Sequence, residues 1–141
     1  MRYLILVSHG TFAPGLHNAV GMMAGADRTD IRSTSLLDGM DVDTFRKNFA
    51  DLVADLKQED EILLFADIIG GSPLTTALEV LTEKGMLEHT VAIGGMNLPL
   101  ILTAAFADAE APLAQVADEV IEEGCGQLKK FDLGSSDEDD I

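Results

Sequence analysis

Apolar residues fall into two alternating kinds of segment along this chain. Tyr3 to Val7 is one unbroken apolar run, and Ile62-Leu63-Leu64-Phe65, within Glu61 to Ala66, is another. Such runs are expected of strands buried on both faces. Thr90 to Ile93 is a shorter strand of the same kind, and Ile31 to Leu37 a more polar one. Between them lie stretches with three/four spacing. In Asp43 to Lys57 and the residue before it, Val42, Phe45, Phe49, Leu52, Val53 and Leu56 mark one helical face. Leu16, Val20 and Met23 do the same in Pro14 to Ala26, where Pro14 suits a first turn. Gly70-Gly71-Ser72-Pro73 opens a helix to about Lys84, with Ser72 as N-cap, Pro73 as first helical residue and Gly85 as the stop. Further helices start near Pro99 and at Pro112, the latter running to about Glu123, and Gln127 to Leu133 reads as a last strand.

This alternation predicts an α/β fold with a mainly parallel sheet and helices on both faces. Four such units in 141 residues suit a flavodoxin-like sheet of leading order 2-1-3-4. That order sets strands one and three side by side, with crossovers on opposite faces and a ligand crevice at their carboxyl ends. Strand one ends at Ser8-His9-Gly10 and strand three at Ala66-Asp67, so the expected fold brings His9 and Asp67 together. The length fits one domain over residues 1–134, with residues 135–141 as an acidic, solvated tail.

His9 is the leading chemical candidate. An unperturbed imidazole titrates near about pH 6.5, so a large share is neutral and nucleophilic near neutrality. The competing reading is a strand-end histidine satisfied by a local hydrogen bond. Asp67 is either a loop-stabilising cap or the carboxylate that orients His9, accepting Nδ1–H and leaving Nε2 free. Gly70, Gly71 and Ser72 form either an ordinary helix start or a phosphate cradle of backbone amides and one hydroxyl. The loop lacks the lysine of a nucleotide P-loop. Asp41-Val42-Asp43-Thr44 has the spacing of an aspartyl-phosphate phosphatase motif, but helix capping is the simpler reading. His17 and His89 are too scattered to suggest a metal site with His9, Met22, Met23 and Met40 read as core or rim fillers, and Cys125 reads as a small buried residue.

Composition narrows the classes. With 9 Lys and Arg against 25 Asp and Glu, the net charge is −16. This disfavours nucleic-acid binding, which needs a basic face, and docking on anionic lipid. It favours basic or apolar protein partners. The single Cys125 allows neither an intrachain disulfide nor a cysteine-based zinc cluster. The longest apolar stretch, Leu98 to Ala107, is about half of the ~20 residues that span a bilayer. The apolar start is too short for a typical signal peptide, so a cytoplasmic protein is expected.

Three segments in order carry a resemblance. Ile5-Leu6-Val7-Ser8-His9-Gly10, Asp67-Ile68-Ile69-Gly70-Gly71-Ser72-Pro73 and Gly95-Met96-Asn97-Leu98-Pro99 are similar to motifs of the enzyme IIA domains of the mannose family of the bacterial sugar phosphotransferase system. The match covers nearly the whole chain. It departs where members often carry Trp, near Phe12 and Ile69, and where many carry Asn, at Thr75. The resemblance implies a phosphoryl relay with no cofactor and no metal: HPr donates to Nε2 of His9, and the IIB component of a IIC/IID membrane permease accepts. It implies that Asp67 orients His9, that Gly70, Gly71 and Ser72 hold the phosphoryl group, and that Phe12, Ile69 and Leu74 form an apolar docking rim. It also implies a homodimer exchanging the C-terminal strand. Two readings from other classes stay open, a tetrapyrrole metal chelatase and a non-catalytic flavodoxin-like binding module.

Overall fold

Residues 1–134 are described by the computed structural model; the expected acidic tail lies outside the described residues. The strands are β1 (Arg2–His9), β2 (Ile31–Leu36), β3 (Glu61–Ala66) and β4 (Thr90–Ile93). The helices are α1 (Phe12–Ala24), α2 (Val42–Leu52), α3 (Ser72–Glu83), α4 (Leu98–Ala105) and α5 (Leu113–Gly126). All strand pairs are parallel, in the expected order β2-β1-β3-β4.

The alternation of the pleat sorts the core into two layers. Leu4 and Leu6 of β1, with Leu63 and Phe65 of β3, pack beneath α1, α4 and α5. Tyr3, Ile5 and Val7, with Ile62, Leu64 and Ala66, face α2 and α3, where Phe45 and Phe49 stack at 6.5 Å between ring centroids. Both faces of the central strands are thus covered, as their unbroken apolar runs require. Asp41 caps α2 through Oδ1, which accepts from the Thr44 amide at 2.7 Å, so the Asp-x-Asp-Thr stretch is a helix cap.

Several details differ from the sequence reading. Gly71, not Ser72, is the N-cap of α3, and Ser72 is already helical. The glycine's extended backbone, φ −90° and ψ 162°, makes the turn that a capping serine was expected to make. Helix α2 ends at Leu52, although Val53 and Leu56 continue its buried face as a turn. Met22, Met23 and Cys125 are exposed, because α1 and α5 present those positions away from the sheet. Gln127 to Leu133 forms no strand within the single chain, and Leu128, Phe131 and Leu133 stand exposed. Strand β4 pairs only with β3, so its outer edge is open among the described residues. No helix among the described residues is long and apolar enough to cross a membrane.

Candidate functional site

The carboxyl ends of β1 and β3 meet where the strand order reverses. The β1·β3 ladder closes with Val7 opposite Ala66; β3 ends there, while β1 continues through Ser8 and His9 paired with β2. His9 is the last residue of β1, and Gly10 turns the chain away at φ +58°. Ser8, fully buried, fixes the exit. Its hydroxyl accepts from the Ala13 amide at 2.7 Å and donates to the His9 carbonyl at 3.1 Å. Thr11, the N-cap of α1, makes no side-chain cap bond, so Ser8 supplies the acceptor that α1 needs. The sequence reading missed this role. The available signal was a small hydroxyl residue just before the histidine in an otherwise apolar strand.

Asp67 and His9 are joined twice. Asp67 Oδ2 accepts from the His9 backbone N–H at 3.0 Å and lies 2.8 Å from Nδ1. The other carboxylate oxygen accepts from the Ile68 amide at 2.9 Å. Burial works to raise the Asp67 pKa, but the His9 and Ile68 hydrogen bonds and the imidazole's charge together hold it below the usual carboxylate value. An ionised Asp67 accepts only, so in the neutral imidazole the proton belongs on Nδ1 and the lone pair on Nε2. The His9 side chain is 47% exposed while Asp67 is 17% exposed. The carboxylate is therefore sheltered while the imidazole stays partly open to solvent.

The glycine loop passes against the imidazole. Gly70 adopts φ +87°, a left-handed conformation that favours glycine. A Cβ on Gly71 would lie 2.7 Å from His9 Cε1 and 3.4 Å from Nε2. Hence the backbone that starts α3 runs beside the free nitrogen only because Gly71 has no side chain. The first amides of a helix lack intrahelical partners and carry the positive end of its dipole. Pro73, at N2, has no amide to offer.

The remaining expected residues divide. Phe12 is 48% exposed and Ile69 79%, with Ile68 beside it. Leu74, expected on the same rim, is buried in the α2/α3 core, because the first turn of α3 points it at the sheet. His17 bonds Ser33 Oγ at 2.8 Å, and burial lowers its pKa; His89 ends a 3-10 turn at Leu87–His89. Among the described residues, no three His, Cys, Asp or Glu side chains stand together as a metal-ligand set.

A sheltered carboxylate holding a reachable histidine at the switch point of a flavodoxin-like sheet defines a class of candidate histidine-centred transfer sites. The chain belongs to the mannose-family IIA components of the phosphotransferase system, since the family model described as the PTS system fructose IIA component matches residues 3–121. It is 26% identical over 102 residues to the fructose-specific EIIA component of Bacillus subtilis, covering 72% of this chain and 67% of that protein. It is 25% identical over 130 residues to the mannose-specific EIIAB component of Escherichia coli K12; this covers 89% of the chain but 39% of that longer protein. Among solved structures, the IIA protein associated with the fucose utilization operon of Streptococcus pneumoniae is 26% identical, with a TM-score of 0.77 and 92% of each chain covered. The mannose/sorbose-specific IIA subunit from Enterococcus faecalis shares the fold at a TM-score of 0.80 and 22% identity, over 94% of this chain and 96% of that one. A general role in phosphoryl transfer within a sugar phosphotransferase system follows from the family.

Proposed function

We propose that His9 is the phosphoryl carrier: its Nε2 attacks the phosphorus of phospho-HPr and later yields the group to a IIB component of a sugar permease. The observation that carries this reading is the 2.8 Å contact of Nδ1 with an ionised Asp67, which leaves Nε2 as the lone nucleophilic nitrogen. In the first transfer the bond from phosphorus to its donor atom breaks as the bond to Nε2 forms. The ring becomes cationic, and Asp67 compensates that charge without itself taking the group. Amides beside Gly70, Gly71 and Ser72, with the Ser72 hydroxyl, receive the equatorial oxygens. Reversal of the same geometry delivers the group onward, so no cofactor or metal enters the scheme. Phe12 and Ile69, with Ile68 in place of the buried Leu74, supply the apolar rim that excludes water.

The proposed carrier domain spans residues 1–134 and works in the cytoplasm, recruited to the IIC/IID transporter. Its oligomeric state is a homodimer. The open edge of β4 and the exposed Leu128, Phe131 and Leu133 support pairing of residues 127–133 across two copies. Sedimentation should show a dimer that becomes monomeric or aggregates when the chain is cut before Gln127; an unchanged dimer removes that part of the reading.

Incubation with phosphoenolpyruvate, enzyme I and HPr, followed by mass spectrometry at neutral or basic pH, tests the carrier itself. One acid-labile phosphoryl group should appear on the wild type and on His17→Ala and His89→Ala, and none on His9→Ala. Asp67→Asn should fold and transfer slowly. Full labelling of His9→Ala, or phosphate recovered on Asp67, would falsify the assignment.

A further inference from the structure

The turn Gly94-Gly95-Met96-Asn97 has no part in the scheme above, yet it grips the backbone of the orienting carboxylate. Asp67 lies beyond both of its ladders. The β1·β3 pairing ends at Val7 and Ala66, and the β3·β4 pairing ends at Phe65 and Ile93. On the β1 side the Asp67 carboxylate is held by His9. On the β4 side the turn holds it: the Met96 amide donates to the Ala66 carbonyl at 3.0 Å and the Gly95 amide to the Asp67 carbonyl at 3.2 Å. Gly95 adopts φ +71°, and Gly94 lets Ile69 lie directly against the end of β4, where a Cβ would come 2.2 Å from Ile69 Cγ1 and 3.2 Å from its amide nitrogen.

Asn97 fixes this turn from the other side. Its Oδ1 accepts from the Leu100 amide at 2.9 Å and starts α4, while its Nδ2 donates to the Gly124 carbonyl at 3.1 Å in the last turn of α5. Gly124 permits that approach, since a Cβ there would sit 2.9 Å from Leu100 and 3.3 Å from Asn97 Oδ1. One side chain thus anchors the turn to two helices, and the turn's amides set where the Asp67 backbone rests. We propose that Asn97 is a positioning residue for the His9–Asp67 couple, acting through the Gly95 and Met96 amides, and that both arms of its amide are needed. Its consequence for transfer rests on the carrier reading; its effect on the couple does not.

Two nuclear magnetic resonance signals read the couple without phosphorylation: the ¹⁵N shifts of the His9 ring, which report the tautomer, and the titration of the Asp67 carboxyl carbon. Asn97→Ala removes both arms. Asn97→Ser keeps an acceptor near Leu100 but is too short to reach Gly124. Each should mix the His9 tautomers, move the Asp67 titration up toward the ordinary carboxylate value, and slow transfer from phospho-HPr by about tenfold. Arg2→Ala, a destabilising change at the opposite end of the sheet, should leave both signals where they are. A folded Asn97→Ala or Asn97→Ser with both signals at their wild-type positions overturns the proposal, as does an equal shift in Arg2→Ala. If Asn97→Ala does not fold, Asn97→Ser decides alone. A wild type that is never phosphorylated refutes the carrier reading and leaves the two signals to judge Asn97.

Discussion

The two ends of the sheet are held by opposite means. At the amino ends, long cationic side chains tie down carbonyls. Arg2, whose side chain is 8% exposed, bonds Glu61 and the carbonyls of Asp108 and Ala111. Arg28 grips both Asp30 oxygens and the carbonyl of Ala105, the last residue of α4. At the carboxyl ends, the loops 9–11, 37–41, 67–71 and 94–97 contain Asp38, Asp41 and Asp67 and no lysine or arginine. There the backbone is held by short contacts that glycines permit and by carboxylates that accept amides. Side-chain cations brace one end, and the other presents a partly open histidine beside a glycine loop. On the carrier reading proposed above, a phosphoryl group at that end would meet no lysine or arginine from these loops.

The sharpest way to break this contrast is at Gly71. A Cβ there would need to displace the imidazole, being 2.7 Å from Cε1. Displacing a reacting group by about 1 Å costs roughly 10²-fold in rate. Gly71→Ala should therefore lower transfer to His9 by that order. Its backbone has φ −90°, which alanine adopts freely, so thermal stability should change little. A Gly71→Ala protein that transfers at the wild-type rate would show that the ring has room to move and that the close approach is incidental.

A second test uses charge. The net charge is −16, and the loops around His9 add aspartates without basic residues. A basic docking face should be steered to this end, and steering raises on-rates by about 10–10³-fold. Raising salt from low ionic strength to 1 M shortens the screening length to about 3 Å. The on-rate for HPr in stopped flow should then fall about tenfold or more, with dissociation changed less. Phe12→Ala should instead speed dissociation, because it removes apolar contact rather than charge. An on-rate indifferent to salt would leave the acidic end without a role in partner choice.

Much of this was legible because period and burial agree. The apolar runs of β1 and β3 are buried on both faces, the alternation of strands with helices predicts a parallel sheet, and the observed order is the one expected for four such units. Once that order holds, His9 and Asp67 must be neighbours, since both stand at the ends of adjacent parallel strands. What escaped were features that depend on where a turn points. Ser72 looks like a cap, yet Gly71 takes that place, and this in turn directs Leu74 into the core. Ser8 reads as strand, and only the path from Gly10 into α1 makes its hydroxyl a cap. Gln127 to Leu133 has a strand's composition but no neighbour within one chain. A strand needs a partner for its backbone groups, and sequence pattern does not say which chain provides it.

The smallest expected effect lies at the amino end and separates stability from chemistry. Arg2→Ala leaves Glu61 and two backbone carbonyls without their cation. Hydrogen bonds to charged groups contribute about 1.5–3 kcal/mol each at best. The Asp108 bond is solvent-exposed and Glu61 is 37% exposed, so water replaces much of what is lost there. The Ala111 bond is more sheltered, and the loop it anchors leads from α4 into α5. A net loss of about 1–2 kcal/mol is therefore expected in chemical denaturation. The distance along β1 from Arg2 to His9 is seven residues, at roughly 3.3 Å each, or about 23 Å. At that separation the His9–Asp67 contact should be untouched, and transfer below the melting temperature should proceed at the wild-type rate. A variant whose transfer slows in proportion to its lost stability would mean that the two ends act as one unit, and that the cations at the base also hold the couple at the top.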